Sequence, residues 1–115
     1  MEIIGPDLII TPEEETKCRY NRKFAEEMVR LKWKLLSESD YPGFIHDTGA
    51  ATCGFCIMFI YNNCLSCPIA DYTRVLECKN TPFEAFYTAN KYEDPIERKK
   101  QAKLILDLIE KALAV

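Results

Sequence analysis

Residues 11–38 read "TPEEETKCRYNRKFAEEMVRLKWKLLSE". The stretch opens with Thr11, Pro12 and Glu14 in the order a helix start requires. The Thr11 hydroxyl can accept an orphan N–H, Pro12 has no N–H to leave unpaired, and Glu14 reaches back while favouring the positive end of the helix dipole. The same grammar returns in "TPFE" at 81–84 and "DPIE" at 94–97. Three such starts in 115 residues predict an all-α chain. The first start predicts one helix from Pro12 to about Glu38, roughly 40 Å long at the standard rise. At about 100° per residue, Tyr20, Phe24, Met28, Leu31 and Leu35 share one face, widened on one side by Ala25, Val29 and Leu36. Arg19, Lys23, Arg30 and Lys34 form a basic strip on the other side. Trp33 falls nearly opposite Phe24, at the edge of that strip, and is expected to be at least partly exposed.

Working outward, "YPGF" at 41–44 punctuates the end of this helix. A second helix is expected from near Thr52 to Tyr61, ended by Asn62 and Asn63. Residues 64–80 read as irregular chain with one short turn after Pro68. A third, aromatic helix is expected from Pro82 to about Asn90, and a last one from Pro95 to about Ala114. In the last helix Ala102, Ile105, Leu108, Ile109, Ala112 and Leu113 face one way, and Lys103, Asp107 and Lys111 the other. "LII" at 8–10 is the only β candidate, or else a hydrophobic staple into the first helix. The expected architecture is a single helical domain, residues 1–115: a small bundle of about four helices with a cysteine-clamped loop.

The composition fits a globular chain. With 48% hydrophobic and 29% charged residues it is not a disordered one. The net charge of −3 argues against a general nucleic-acid coat, whose affinity comes from neutralising phosphates. The N-terminus "MEIIGPDLII" carries an acidic residue, no basic n-region and a proline in its apolar run, unlike a secretory signal. No apolar run is long enough to span a bilayer. A cytoplasmic location is therefore expected. In a reducing compartment six cysteines favour metal or redox roles over disulfides, except in hyperthermophiles, towards which the single Gln beside many Ile, Glu and Lys points weakly.

Five of the six cysteines follow the order Cys53-x2-Cys56-x7-Cys64-x2-Cys67-x10-Cys78; Cys18 stands alone on the first helix and is expected in the core. On a continuous helix Cys53 and Cys64 would be about 16 Å apart, too far for one metal ion with bonds of about 2.3 Å to sulfur. The two pairs converge only if the chain folds back, and Asn62-Asn63 is where reversal is cheapest. Cys53, Cys56, Cys64 and Cys67 then form a tetrahedral thiolate set, for which zinc, one per chain, is the default metal, with Cys78 as a substitute ligand. The same reversal also suits two disulfides, Cys53 with Cys67 and Cys56 with Cys64. "TCGFC" additionally has the form of a dithiol redox motif at a helix start, although no βαβ frame precedes it. An iron–sulfur cluster fits the spacing poorly, and buried, unpaired thiols are the plain alternative.

The run Cys53…Cys56…Cys64…Cys67-Pro68-Ile69…Cys78…Thr81-Pro82-Phe83 resembles small uncharacterised cysteine-rich proteins of phages and other mobile elements. The resemblance covers residues 53–83 only. It implies a viral or mobile-element origin and no particular activity. A Gly-rich turn expected before the last cysteine is replaced here by "DYTRVLEC".

His46, the only histidine, lies near Cys53 in sequence and is a candidate ligand or base, though a lone loop histidine has many plainer uses. No phosphate-binding glycine loop, catalytic triad order or second histidine supports an enzyme. Arg19, Lys23, Arg30, Trp33 and Lys34 are the candidate binding surface for a nucleic-acid backbone and a stacked base, or simply a solvated helix face. The expected function is a non-enzymatic, metal-stabilised interaction module binding a protein or a nucleic acid, possibly as a homo-oligomer through an apolar helix face. The rival is a thiol–disulfide redox protein using Cys53 and Cys56.

Overall fold

Thr11 caps the first helix as its sequence requires: its Oγ1 accepts from Glu14 N at 3.2 Å, and Glu14 Oε1 accepts from Thr11 N at 3.0 Å. The structure, a computed structural model, describes residues 1–59, 67–73 and 82–114. It is mostly helical. The described helices are α1 (Pro12–Tyr20), α2 (Arg22–Glu38), α3 (Gly54–Phe59), α4 (Pro68–Thr73), α5 (Pro82–Lys91) and α6 (Pro95–Leu113), with one 3-10 turn at Ala50–Thr52. The Asp94 cap is present, its Oδ1 accepting from Glu97 N at 3.1 Å. The expected Thr81 cap and the Asn62-Asn63 reversal lie outside the described residues. Thr11→Ala should lower stability by about 1 kcal/mol, because both halves of the capping box are lost. A urea melt unchanged within error would show that the box is dispensable.

The expected single helix over 12–38 is two helices. Asn21 has extended backbone (φ −138°, ψ 102°) and ends α1 while starting α2. Its N–H donates to Lys17 O at 2.9 Å, and its Oδ1 accepts from Phe24 N at 3.0 Å. The break also reorients the face. Tyr20, expected in the core, is 84% exposed, whereas α2 buries Ala25, Met28, Val29, Lys32, Trp33, Leu36 and Ser37. That arc is centred about a third of a turn away from the Phe24–Leu35 line.

The reason is that α2 is wedged between two groups of helices. Val29, Trp33 and Leu36 join Phe83, Phe86, Ala102, Ile105 and Ile109 in the main core, so α2 and α5 both rest on α6. Ala25 and Met28 join Cys18 of α1 and Ile57 of α3 in a second, smaller cluster.

"LII" contributes to a strand rather than a staple. β1 (Glu2–Ile4) pairs antiparallel with β2 (Asp7–Ile9) through a two-residue turn. Gly5 there takes φ +59°, which glycine adopts without a side-chain clash, and Pro6 fixes the next φ. Leu8 is buried, and its N–H donates to His46 O at 3.2 Å, while His46 N–H donates to Pro6 O at 2.7 Å. The hairpin thus fixes the chain between α2 and α3.

A buried polar network ties that chain to the helices. Asn90, at the end of α5, grips the Ile45 peptide from both sides: Ile45 N–H donates to Asn90 Oδ1 at 3.0 Å, and Asn90 Nδ2 donates to Ile45 O at 2.9 Å. Arg98 of α6 is fully buried and donates to Gly43 O at 2.7 Å and to Tyr41 O at 2.5 Å.

Candidate cysteine centre

Cys53 immediately precedes α3, and Gly54 is what allows it to sit there. A Cβ on Gly54 would stand 2.5 Å from the carbonyl oxygen of Ala25, so α3 starts in direct backbone contact with α2. The approach places Cys53 within electrostatic reach of two α1 and α2 residues, Cys18 and Lys32. Lys32 is buried, with its Nζ donating to Gly49 O at 2.8 Å and lying 5.1 Å from the centroid of the Trp33 ring.

The Cys53 sulfur accepts a hydrogen bond from the Cys56 thiol, which draws its pKa down from 9.0 to about 6 against the opposing effect of burial. The Lys32 ammonium and the backbone N–H groups of Cys56 and Phe55 lower it further. Cys18 shifts the other way. Burial pushes its thiol up to about 11, assisted by the negative charge on Cys53 and by Glu14 and Glu15. The doublet thus holds a thiolate at neutral pH facing a thiol that stays protonated.

A pH profile of alkylation on metal-free protein should therefore separate the two. Cys53 should be modified with a midpoint near pH 6, and Cys18 should remain unmodified to beyond pH 9. Peptide mass mapping reads both sites, and an ordinary midpoint near 9 for Cys53 would remove the thiolate. Stability follows with a definite sign. Cys53 is more acidic folded than unfolded, so its contribution is complete above pH 9 and is lost as pH falls towards 6. Cys18 is less acidic folded, so stability falls again as pH rises from 9 towards 11.

Of the other expected ligands, Cys67 is described and Cys64 and Cys78 lie outside the described residues. Cys67 is buried in the main core, directly before α4, and Cys53 packs against the same cluster. Both ends of segment 53–67 therefore return to one place. Among the described residues no three His, Cys, Asp or Glu side chains gather as a metal site. His46 is exposed, joined to the hairpin through its main chain, with its ring edge-on to Phe44 at 5.0 Å between centroids.

The basic strip is not the expected surface. Trp33, expected at its exposed edge, is only 1% exposed and makes edge contacts with Phe83 (5.3 Å) and Phe86 (4.9 Å). The face rotation described above carries it into the core, where its Nε1 finds no acceptor among the described residues. Arg30 is tied to Glu110 by its Nε at 2.6 Å. Arg19 sits on α1, across the Asn21 break from the exposed Lys23 and Lys34 of α2.

Lys32, Asn90 and Arg98 are the contributors the sequence did not single out. A lysine next to the tryptophan, between apolar Leu31 and Leu36, was the one available hint for Lys32. Compared with known proteins, the chain matches no family model, and no curated protein or solved structure is significantly similar to it. Among the described residues no helix is long and apolar enough to cross a membrane.

Proposed function

We propose that this chain is a non-enzymatic interaction module, of viral or mobile-element origin, whose 53–67 segment is clamped by a structural zinc on Cys53, Cys56, Cys64 and Cys67. The observation that carries the reading is the return of the chain: Cys53 and Cys67 lie against the same hydrophobic cluster, which is what convergence of the two pairs requires. The hydrogen-bonded Cys53–Cys56 doublet, with one sulfur already a thiolate near neutral pH, has the chemistry of half a zinc site. The other half includes Cys64, outside the described residues. When bound, zinc would supply a cross-link that stabilises the fold. The broken basic strip favours a protein partner over a nucleic acid.

The second reading is thiol–disulfide exchange by Cys53 and Cys56, favoured by the lowered Cys53 pKa beside Lys32. Elemental analysis with native mass on protein purified without added metal separates the two. One zinc per chain, with chelation loosening residues 50–80 while α2 and α6 stay helical, supports the clamp. A mass lower by about four hydrogens and no metal means two disulfides and defeats it. Metal-free protein that turns over a dithiol substrate, with the activity lost in Cys53→Ser, replaces the clamp with the redox reading.

A further inference from the structure

Two open grooves of opposite charge flank the first turns of α6. One, of about 530 Å³, is lined by Asp40, Ile96, Lys99, Lys100, Lys103 and Leu104. Its carboxylate is already matched, because Lys99 Nζ holds Asp40 Oδ1 at 2.5 Å, which leaves two lysines in excess. The other groove, of about 520 Å³, is lined by Glu84, Thr88, Tyr92, Asp94 and Glu97 and has no cation among its lining residues. Between them stand two large side chains that the fold leaves uncovered, Ile96 at 82% and Tyr92 at 73% exposure.

We propose that the two grooves dock onto each other across a two-fold axis, making a dimer of this chain. An isologous contact needs a surface on which patch i meets patch j while j meets i. Grooves of opposite sign on either side of one helix start meet that condition: turning a second copy end-over-end sets each lysine groove on the partner's acidic groove. Ile96 and Tyr92 then lie near the axis, where apolar and aromatic residues contribute most to an interface. The same charge layout argues against a polyanion as occupant. A nucleic acid or an anionic membrane drawn to Lys100 and Lys103 would meet Glu84, Asp94 and Glu97 one groove away. The surface shares no residue with the cysteine centre, so the inference stands whether or not zinc is found there.

The test is the mass of the full chain in solution, by light scattering or sedimentation across a concentration series. A mass that rises to twice that of the chain and falls with added salt is expected, since exposed charges are screened. Lys100→Glu with Lys103→Glu should weaken the dimer by about tenfold or more, as like charges then face each other. Glu84→Lys with Glu97→Lys should do the same. Mixing the two double variants should restore a dimer, because each supplies the sign the other lacks. Ile96→Ser, at a position without fold contacts to lose, should weaken association without lowering the melting temperature. A wild-type chain that stays monomeric overturns the proposal, as does a dimer indifferent to both swaps and to Ile96→Ser. Folded double variants that fail to rescue each other overturn it as well, and so does a monomer that binds duplex nucleic acid or anionic vesicles instead.

Discussion

Asn90→Ala is expected to cost the fold about 3–5 kcal/mol, among the largest losses any single substitution causes here. Asn90 is 1% exposed and Ile45 is fully buried, so no water replaces what alanine removes. The Ile45 N–H and C=O would both be left unpaired, at about 1–3 kcal/mol each. Arg98 feels the loss too. Its Nη1 lies 3.4 Å from Asn90 Oδ1, its Nε has no acceptor, and among the described residues no carboxylate hydrogen-bonds to it. Burial already lowers the Arg98 pKa, with Asp94 opposing through space. Asn90→Asp is the informative control. It keeps an acceptor for Ile45 N–H and sets an anion beside the guanidinium, losing only the donor to Ile45 O. Urea melts should rank wild type above Asn90→Asp and Asn90→Ala last. An alanine variant within 1 kcal/mol of wild type (roughly one hydrogen bond) would mean that the 41–45 chain is held by something else.

Gly54→Ala is expected to lose about 2–4 kcal/mol and to disable the cysteine centre together. The new methyl would sit 2.5 Å from Ala25 O and 3.2 Å from Ala25 C and Cα. These are backbone atoms inside α2, so no rotamer change relieves the clash and α3 must lift away. Cys53 would then leave the field of Lys32, and its alkylation midpoint should move up towards that of an ordinary thiol. Gly49→Ala is the matched control, since a Cβ there meets nothing within 4 Å. A Gly54→Ala variant with an unchanged melt and an unchanged Cys53 profile would contradict the close crossing of α3 over α2.

The helices with a proline start were legible because the cap is written in consecutive residues. Thr11-Pro12 and Asp94-Pro95 give the observed beginnings of α1 and α6, and Pro82 that of α5. The α1–α2 break was not legible because Asn21 caps α2 alone. The third helical position holds Phe24, so no returning Glu or Gln marks the box. The face of α2 was misjudged for a different reason. Apolar residues cover much of its circumference, and periodicity cannot say which arc meets a neighbour until α6 and α3 are in place. Trp33 changed sides on that account. Cys53 and Cys56 could be picked out from spacing, since a doubled Cys-x-x-Cys is rare by chance. Lys32, which lowers the Cys53 pKa, could not, because its effect depends on where the 49–53 chain runs.

The grip of Asn90 and Arg98 has a bearing on how this sequence can drift. Both residues hold the 41–45 segment by its main chain: Tyr41 O, Gly43 O and the two polar atoms of the Ile45 peptide. Main-chain groups are the same whatever the residue. The exposed Pro42 and Phe44 can therefore change identity with little penalty, whereas positions 90 and 98 cannot. A lineage of such chains would show a variable loop tip anchored by two invariant polar residues far away in sequence. The same arrangement offers a protein engineer a rigid stem on which to graft new loop-tip chemistry.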